Sequence, residues 1–129
     1  LEPKPRPPDI KDRTFDFAVR IVGLCQVLSD HSTVGRRLSY QLFDSGTSIG
    51  ANVEEAQAGQ SRADFISKYS IALKETRETI YWLRLLAASG LDAGDQIQSL
   101  KKEAEEIARI IGAIIIRAKK NDPRKSQRP

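Results

Sequence analysis

RADFISKYSIALKETRETIYWLRLLAA, residues 62–88, is an unbroken helical stretch with more apolar surface than one neighbouring layer can cover. Phe65, Tyr69, Ala72, Thr76, Thr79, Leu83 and Leu86 alternate steps of four and three, the rhythm of a seam between packed helices. Ile66, Leu73, Ile80 and Ala87 lie one position on and widen the stripe to that of a helix with several partners. From Ile80 to Leu86 the surface is apolar or aromatic nearly all round, because Tyr81, Trp82 and Leu85 lie off the seam and Arg84 is the sole charge. A central, many-sided helix is predicted here.

Three further helices are predicted around it. The first covers about 11–28, with Phe17, Ile21, Leu24 and Leu28 on its seam and Ala18 and Cys25 beside them. Ser29–Thr33 reads as a polar turn in which Ser32 or Thr33 caps the next helix. That helix, about 34–58, repeats the spacing through Leu38, Leu42, Ser45, Ile49, Asn52 and Ala56. Gly46 and Gly50 sit inside it, each costing about 1 kcal/mol of helix propensity against alanine. Close approach of another helix is the expected compensation, with a break at Gly46 as the alternative.

Gly59 is placed to end this helix, and Ser61 with Asp64 resembles a capping box opening the 62–88 stretch. Ser89 and Gly90 end that stretch, and Asp92 with Asp95 suits the start of a last helix over about 93–120. Its seam is Ile97, Leu100, Ala104, Ile107, Ile111, Ile114 and Ala118, leaving Ile110, Ile115 and Ile116 off it. Four long helices on short turns predict an all-α, antiparallel up-down-up-down four-helix bundle over residues 11–120. Residues 1–10, with Pro3, Pro5, Pro7 and Pro8, read as an extended arm, and 121–129 as a basic disordered tail.

The length of 129 residues fits one domain, and a single cysteine, Cys25, excludes an intrachain disulfide. A buried thiol in a reducing cytosol is expected, as is a cytoplasmic protein, since the start is unlike a signal peptide and no run matches a membrane span. The net charge of +4 is unevenly spread. Residues 117–129 hold six basic groups against one acidic, a net +5, while the other 116 residues carry 15 basic and 16 acidic groups. Polyanion affinity is therefore expected at the tail, through Lys119, Lys120, Arg124, Lys125 and Arg128. In an up-down bundle both termini, the turn before Arg62 and Arg62 itself fall at the same end.

Ser48-Ile49-Gly50-Ala51-Asn52-Val53-Glu54-Glu55-Ala56, then Phe65, Ile71-Ala72-Leu73-Lys74-Glu75 and Tyr81-Trp82-Leu83, resemble the bacterial four-helix bundle family encoded within intervening sequences of large-subunit ribosomal RNA genes. The resemblance runs from about Phe15 to Ala118. A relative of that family is the accessory protein of diversity-generating retroelements, a basic barrel that resembles a nucleic-acid-binding partner of the reverse transcriptase. The resemblance implies an up-down bundle in a ring of five subunits. This chain departs from the relative in having a nearly neutral body.

Enzyme chemistry finds little support, and no cofactor, metal or small-molecule substrate is expected. The single histidine, His31, lies in the predicted turn with no glutamate three residues before it, so neither a di-iron bundle site nor a Ser-His-Asp triad can be assembled on the helices. One cysteine cannot make a four-thiolate zinc site, and the scattered glycines form no phosphate loop.

The remaining expectations concern surfaces. Trp82, Leu85, Ile110, Ile115 and Ile116 cannot all enter one four-helix core, so they are predicted to form the subunit interface of a homo-oligomer. Glu75 and Glu78 could face a neighbouring subunit and pair with Arg36, Arg37 or Arg77, or lie on a solvated face. Asn52 is predicted to be a structural polar residue, bonded across the seam to Tyr69 or Thr76 or to the first helix. Two functions follow: an oligomeric adaptor that binds RNA or a ribonucleoprotein through its basic end, or a protein-interaction ring with no nucleic-acid role.

Overall fold

The structure is a computed structural model that describes residues 9–59, 61–91 and 95–121. Those residues form four helices and no strand: α1 (Ile10–His31), α2 (Thr33–Gln57), α3 (Arg62–Ala88) and α4 (Asp95–Lys120). Side chains cap the first three, each satisfying a backbone N–H that lacks a partner in the opening turn. Asp9 accepts from the Asp12 amide at 2.9 Å, Ser32 from Gly35 at 2.9 Å and Ser61 from Asp64 at 3.0 Å. The first helix thus takes in Ile10, which the sequence had assigned to the arm. Asp92, proposed to cap the last helix, and most of the arm and tail lie outside the described residues.

The predicted polar turn at 29–33 is not a loop. Ser29, Asp30 and His31 continue α1, and Ser32 alone, extended at φ −166° and ψ 166°, separates it from α2. Gly35 makes so short a link possible, since a Cβ there would fall 2.5 Å from the Leu28 carbonyl oxygen. At the other end of α2, the chain passes through Ala58 and Gly59 to Ser61.

Consecutive helices pack on each other, and α4 closes more thinly against α1, making a four-helix bundle. On α3 the buried residues are Tyr69, Ala72, Thr76, Thr79, Leu83 and Leu86, with Phe65 half-buried at the head of the row. The seam on α2 drifts from its predicted line: Ser39 and Val53 are buried, and Leu38 and Asn52 are only half-buried. A straight helix turns once per 3.6 residues, so a strict four-three rhythm rotates by about 20° per heptad. The same drift corrects the end of α4, where Ile115 is buried and Ile114 is half-buried.

α2 is continuous through Gly46 and Gly50, and both glycines lie against α1. A Cβ on Gly46 would meet two Ile21 side-chain atoms at 2.9 Å, and one on Gly50 the Thr14 carbonyl oxygen at 3.3 Å. Facing positions run in opposite order along neighbouring helices. Thr14, Ile21 and Cys25 of α1 meet Gly50, Gly46 and Ser39 of α2, while Ser45 and Gln57 of α2 meet Thr79 and Tyr69 of α3.

Candidate assembly and nucleic-acid surfaces

The basic end is built where α4 finishes beside the start of α3. Arg62 in the first turn of α3 donates a 3.1 Å hydrogen bond to the Ala118 carbonyl, answering one of the unpaired carbonyls of the last turn of α4. This holds Arg117, Lys119 and Lys120, all exposed, next to Arg62. The amino end of α1 reaches the same region through Lys11, 3.6 Å from Glu54 near the end of α2. Arg124, Lys125 and Arg128 lie outside the described residues.

The predicted interface residues do not behave alike. Ile116 is 59% exposed, and Trp82, Leu85 and Ile110 are half-buried in the single chain. Ile115 must be corrected: it is only 8% exposed and belongs to the core of its own chain, because the drift of the seam turns it inward. Trp82 packs edge-on against Tyr81, and its indole N–H points at Glu78 Oε1, 3.4 Å away. Tyr69 is buried against Phe65 and unavailable for stacking on a base.

Asn52 also needs correction. Its Nδ2 donates to the Ser48 carbonyl at 2.8 Å, one turn back on its own helix, and it reaches neither Tyr69 nor Thr76. The polar bridge between α2 and α3 is made instead by Ser45 and Thr79, whose buried hydroxyl oxygens are 2.9 Å apart. Tyr69 is satisfied at the end of α2, where its hydroxyl accepts from Gln57 Nε2 at 2.8 Å. Burial raises its pKa, the Gln57 bond opposing the shift.

Among the acidic residues, Glu55 pairs within the chain with Lys68 at 2.8 Å. Half-buried Glu75 has a raised pKa, first from desolvation and then from the nearby Glu78 charge. Arg13 of α1 meets Glu103 of α4 in a two-pronged pair, both contacts 2.8 Å, and Arg20 donates to Ser99 at 2.7 Å. The thin α1–α4 seam is therefore closed by polar contacts. No group of three or more His, Cys, Asp or Glu among the described residues could hold a metal ion, and no described helix is long and apolar enough to cross a membrane.

Sequence reasoning missed where most of the exposed apolar surface lies. Phe15, Val19, Val22 and Val27 of α1 and Val34, Tyr40 and Phe43 of α2 are exposed, against Ile71 and Tyr81 of α3 and Ile116 of α4. Phe15, Val19 and Val22 are spaced by four and three on a face that the core does not use, a signal that was present in the sequence.

Four helices in sequential contact around one apolar core define an all-helical, four-helix bundle protein. The chain belongs to the 23S rRNA-intervening sequence protein family, whose sequence profile matches residues 8–113. Among solved structures it is similar to a protein of unknown function from the S23 ribosomal protein family of Bacteroides thetaiotaomicron VPI-5482. That similarity has 45% identity and a TM-score of 0.77, and covers 83% of this chain and 98% of the other. No curated protein matches.

Proposed function

We propose that this chain is a non-enzymatic, antiparallel up-down-up-down bundle that assembles into a cyclic homo-oligomer, a pentamer, and serves in the cytoplasm as an adaptor for RNA or a ribonucleoprotein. The opposed order of facing residues along neighbouring helices supports the antiparallel arrangement. The observation that carries the RNA reading is the cluster of exposed Arg117, Lys119 and Lys120 beside Arg62, at the end from which the rest of the basic tail leaves. Membership of a family linked to ribosomal RNA intervening sequences is consistent with it.

Residues 117–129 contribute +5 and residues 1–13 a further +1, so five copies would gather a charge of +30. Several weak contacts made at once would then act as one strong one. Because no aromatic residue is interleaved with the tail cations, recognition should follow backbone and shape rather than base identity. Engaging about four phosphates of a single strand gives a slope of log affinity against log salt near −3. The test is retardation of structured and single-stranded RNA at about 50 mM salt, with Lys119, Lys120, Arg124, Lys125 and Arg128 changed together to glutamine. Loss of binding with the assembly intact is the expected result; undiminished binding would remove the tail from the account.

A second reading is favoured by the exposed apolar residues of α1 and α2 and by the nearly neutral body of the chain. In it the ring is a protein-interaction scaffold with no nucleic-acid role, and RNA is not retarded by either protein.

A further inference from the structure

We infer that the outer face of α1 and α2 is one half of a head-to-tail contact between copies of this chain, and that the outer face of α3 of the next copy is the other half. The inference rests on the oligomeric reading above and specifies which surfaces meet. Phe15, Val19 and Val22 run along α1, and Val22 shares an open cleft of about 700 Å³ with Tyr40 and Phe43 of α2 and with Gln26 and Asp30. Phe15 is 63% and Tyr40 61% exposed, and apolar side chains grouped in this way mark an interaction surface.

The charges say which surface fits. Asp12, Asp16 and Asp30 of α1 border this face, all exposed and without an ion-pair partner among the described residues, and exposed Arg36 lies on its α2 side, spaced by four and three with Tyr40 and Phe43. On α3, Lys74, Arg77, Tyr81 and Arg84 step by three, four and three along an exposed row, and its three cations also lack ion-pair partners among the described residues. The α3 row offers the three α1 aspartates three cations around an exposed aromatic ring, and Glu78 beside that row is the acidic counterpart for Arg36. α1 and α3 each pack on both α2 and α4, so they occupy opposite corners of the bundle and their outer faces look away from each other. Two different, complementary surfaces make a heterologous contact, and a ring closes where each contact turns the next copy by the same fraction of a full rotation.

Sedimentation of the full chain at about 50 mM salt tests the pairing by charge reversal. Asp16→Lys with Asp30→Lys should weaken self-association by about tenfold or more, as should Arg77→Glu with Arg84→Glu, with helicity unchanged. All four changes in one chain should restore the wild-type mass. Tyr40→Glu should weaken association and should not be rescued by the α3 changes. If the wild-type protein is oligomeric but its mass is indifferent to Tyr40→Glu and to both reversals, or the combination fails to restore it, this pairing is wrong and the oligomeric reading stands. A monomeric wild-type protein would sink both. If Arg77→Glu with Arg84→Glu releases RNA while leaving the mass unchanged, the α3 row is a nucleic-acid surface and the pairing is again overturned.

Discussion

Asn52 and Thr79 show how a polar residue on a helical seam can be resolved in two ways. Asn52 stands half-buried and bonds back to Ser48 on its own helix, while Thr79 is fully buried and meets Ser45 across the α2–α3 contact. Thr79→Val leaves the Ser45 hydroxyl without its cross-helix partner and should cost about 1–3 kcal/mol, whereas Asn52→Ala should cost less than about 1 kcal/mol. Urea denaturation midpoints check the ordering; a larger loss at Asn52 would mean that it bridges helices after all. Spacing placed both residues within one step of the core, but not on which side of its edge the rotating seam would leave Asn52. Cys25 was legible as a buried thiol, and it lies 3.4 Å from the Ser39 carbonyl. Burial pushes its pKa from 9.0 up to about 11. Since the unfolded thiol ionises first, the stability it contributes is full below about pH 9 and is lost as pH rises through 11. Cys25→Ala should therefore lower the melting temperature at pH 8 but flatten its decline toward pH 11, and an unchanged decline would show that Cys25 does not titrate there.

At the scale of the helices, the extent of α3 and the continuity of α2 were readable, because long periodic runs with capping residues leave few alternatives. The α1–α2 link was not, because the backbone angles of Ser32 and the space over Gly35, rather than the polarity of 29–33, set the length of the turn. The glycines make the packing of α1 on α2 testable. Gly46→Ala would gain about 1 kcal/mol of helix propensity but set a methyl 2.9 Å from Ile21, and such overpacking typically costs 1–3 kcal/mol. Gly112 of α4 has nothing within 4 Å of its missing Cβ, so Gly112→Ala should stabilise by about 0.5–1 kcal/mol. Opposite shifts in thermal midpoint are the expected outcome; stabilisation by both would mean that the α1–α2 crossing has slack.

For the molecule as a whole, the single chain leaves surplus apolar surface exposed, most of it on helices other than those the sequence pointed to. The apolar run at 80–86 suggested α3 and α4, yet within the single chain Trp82, Leu85 and Ile110 are half-covered and Ile115 is core. Most exposed large apolar residues lie instead on α1 and α2, where on α1 they are interleaved with the stronger apolar row of the seam, Phe17, Ile21 and Leu24. The convergence of Arg62 with the end of α4 was legible from topology alone, since alternating helices on short turns return every second connection to the same end. An apolar face of this kind on a chain with a complete core of its own is the reason for regarding assembly as the condition in which the protein works. Sedimentation equilibrium at micromolar concentration measures this directly. A single species several times heavier than the 14.4 kDa chain is the expected result, and a monodisperse 14.4 kDa protein would contradict assembly.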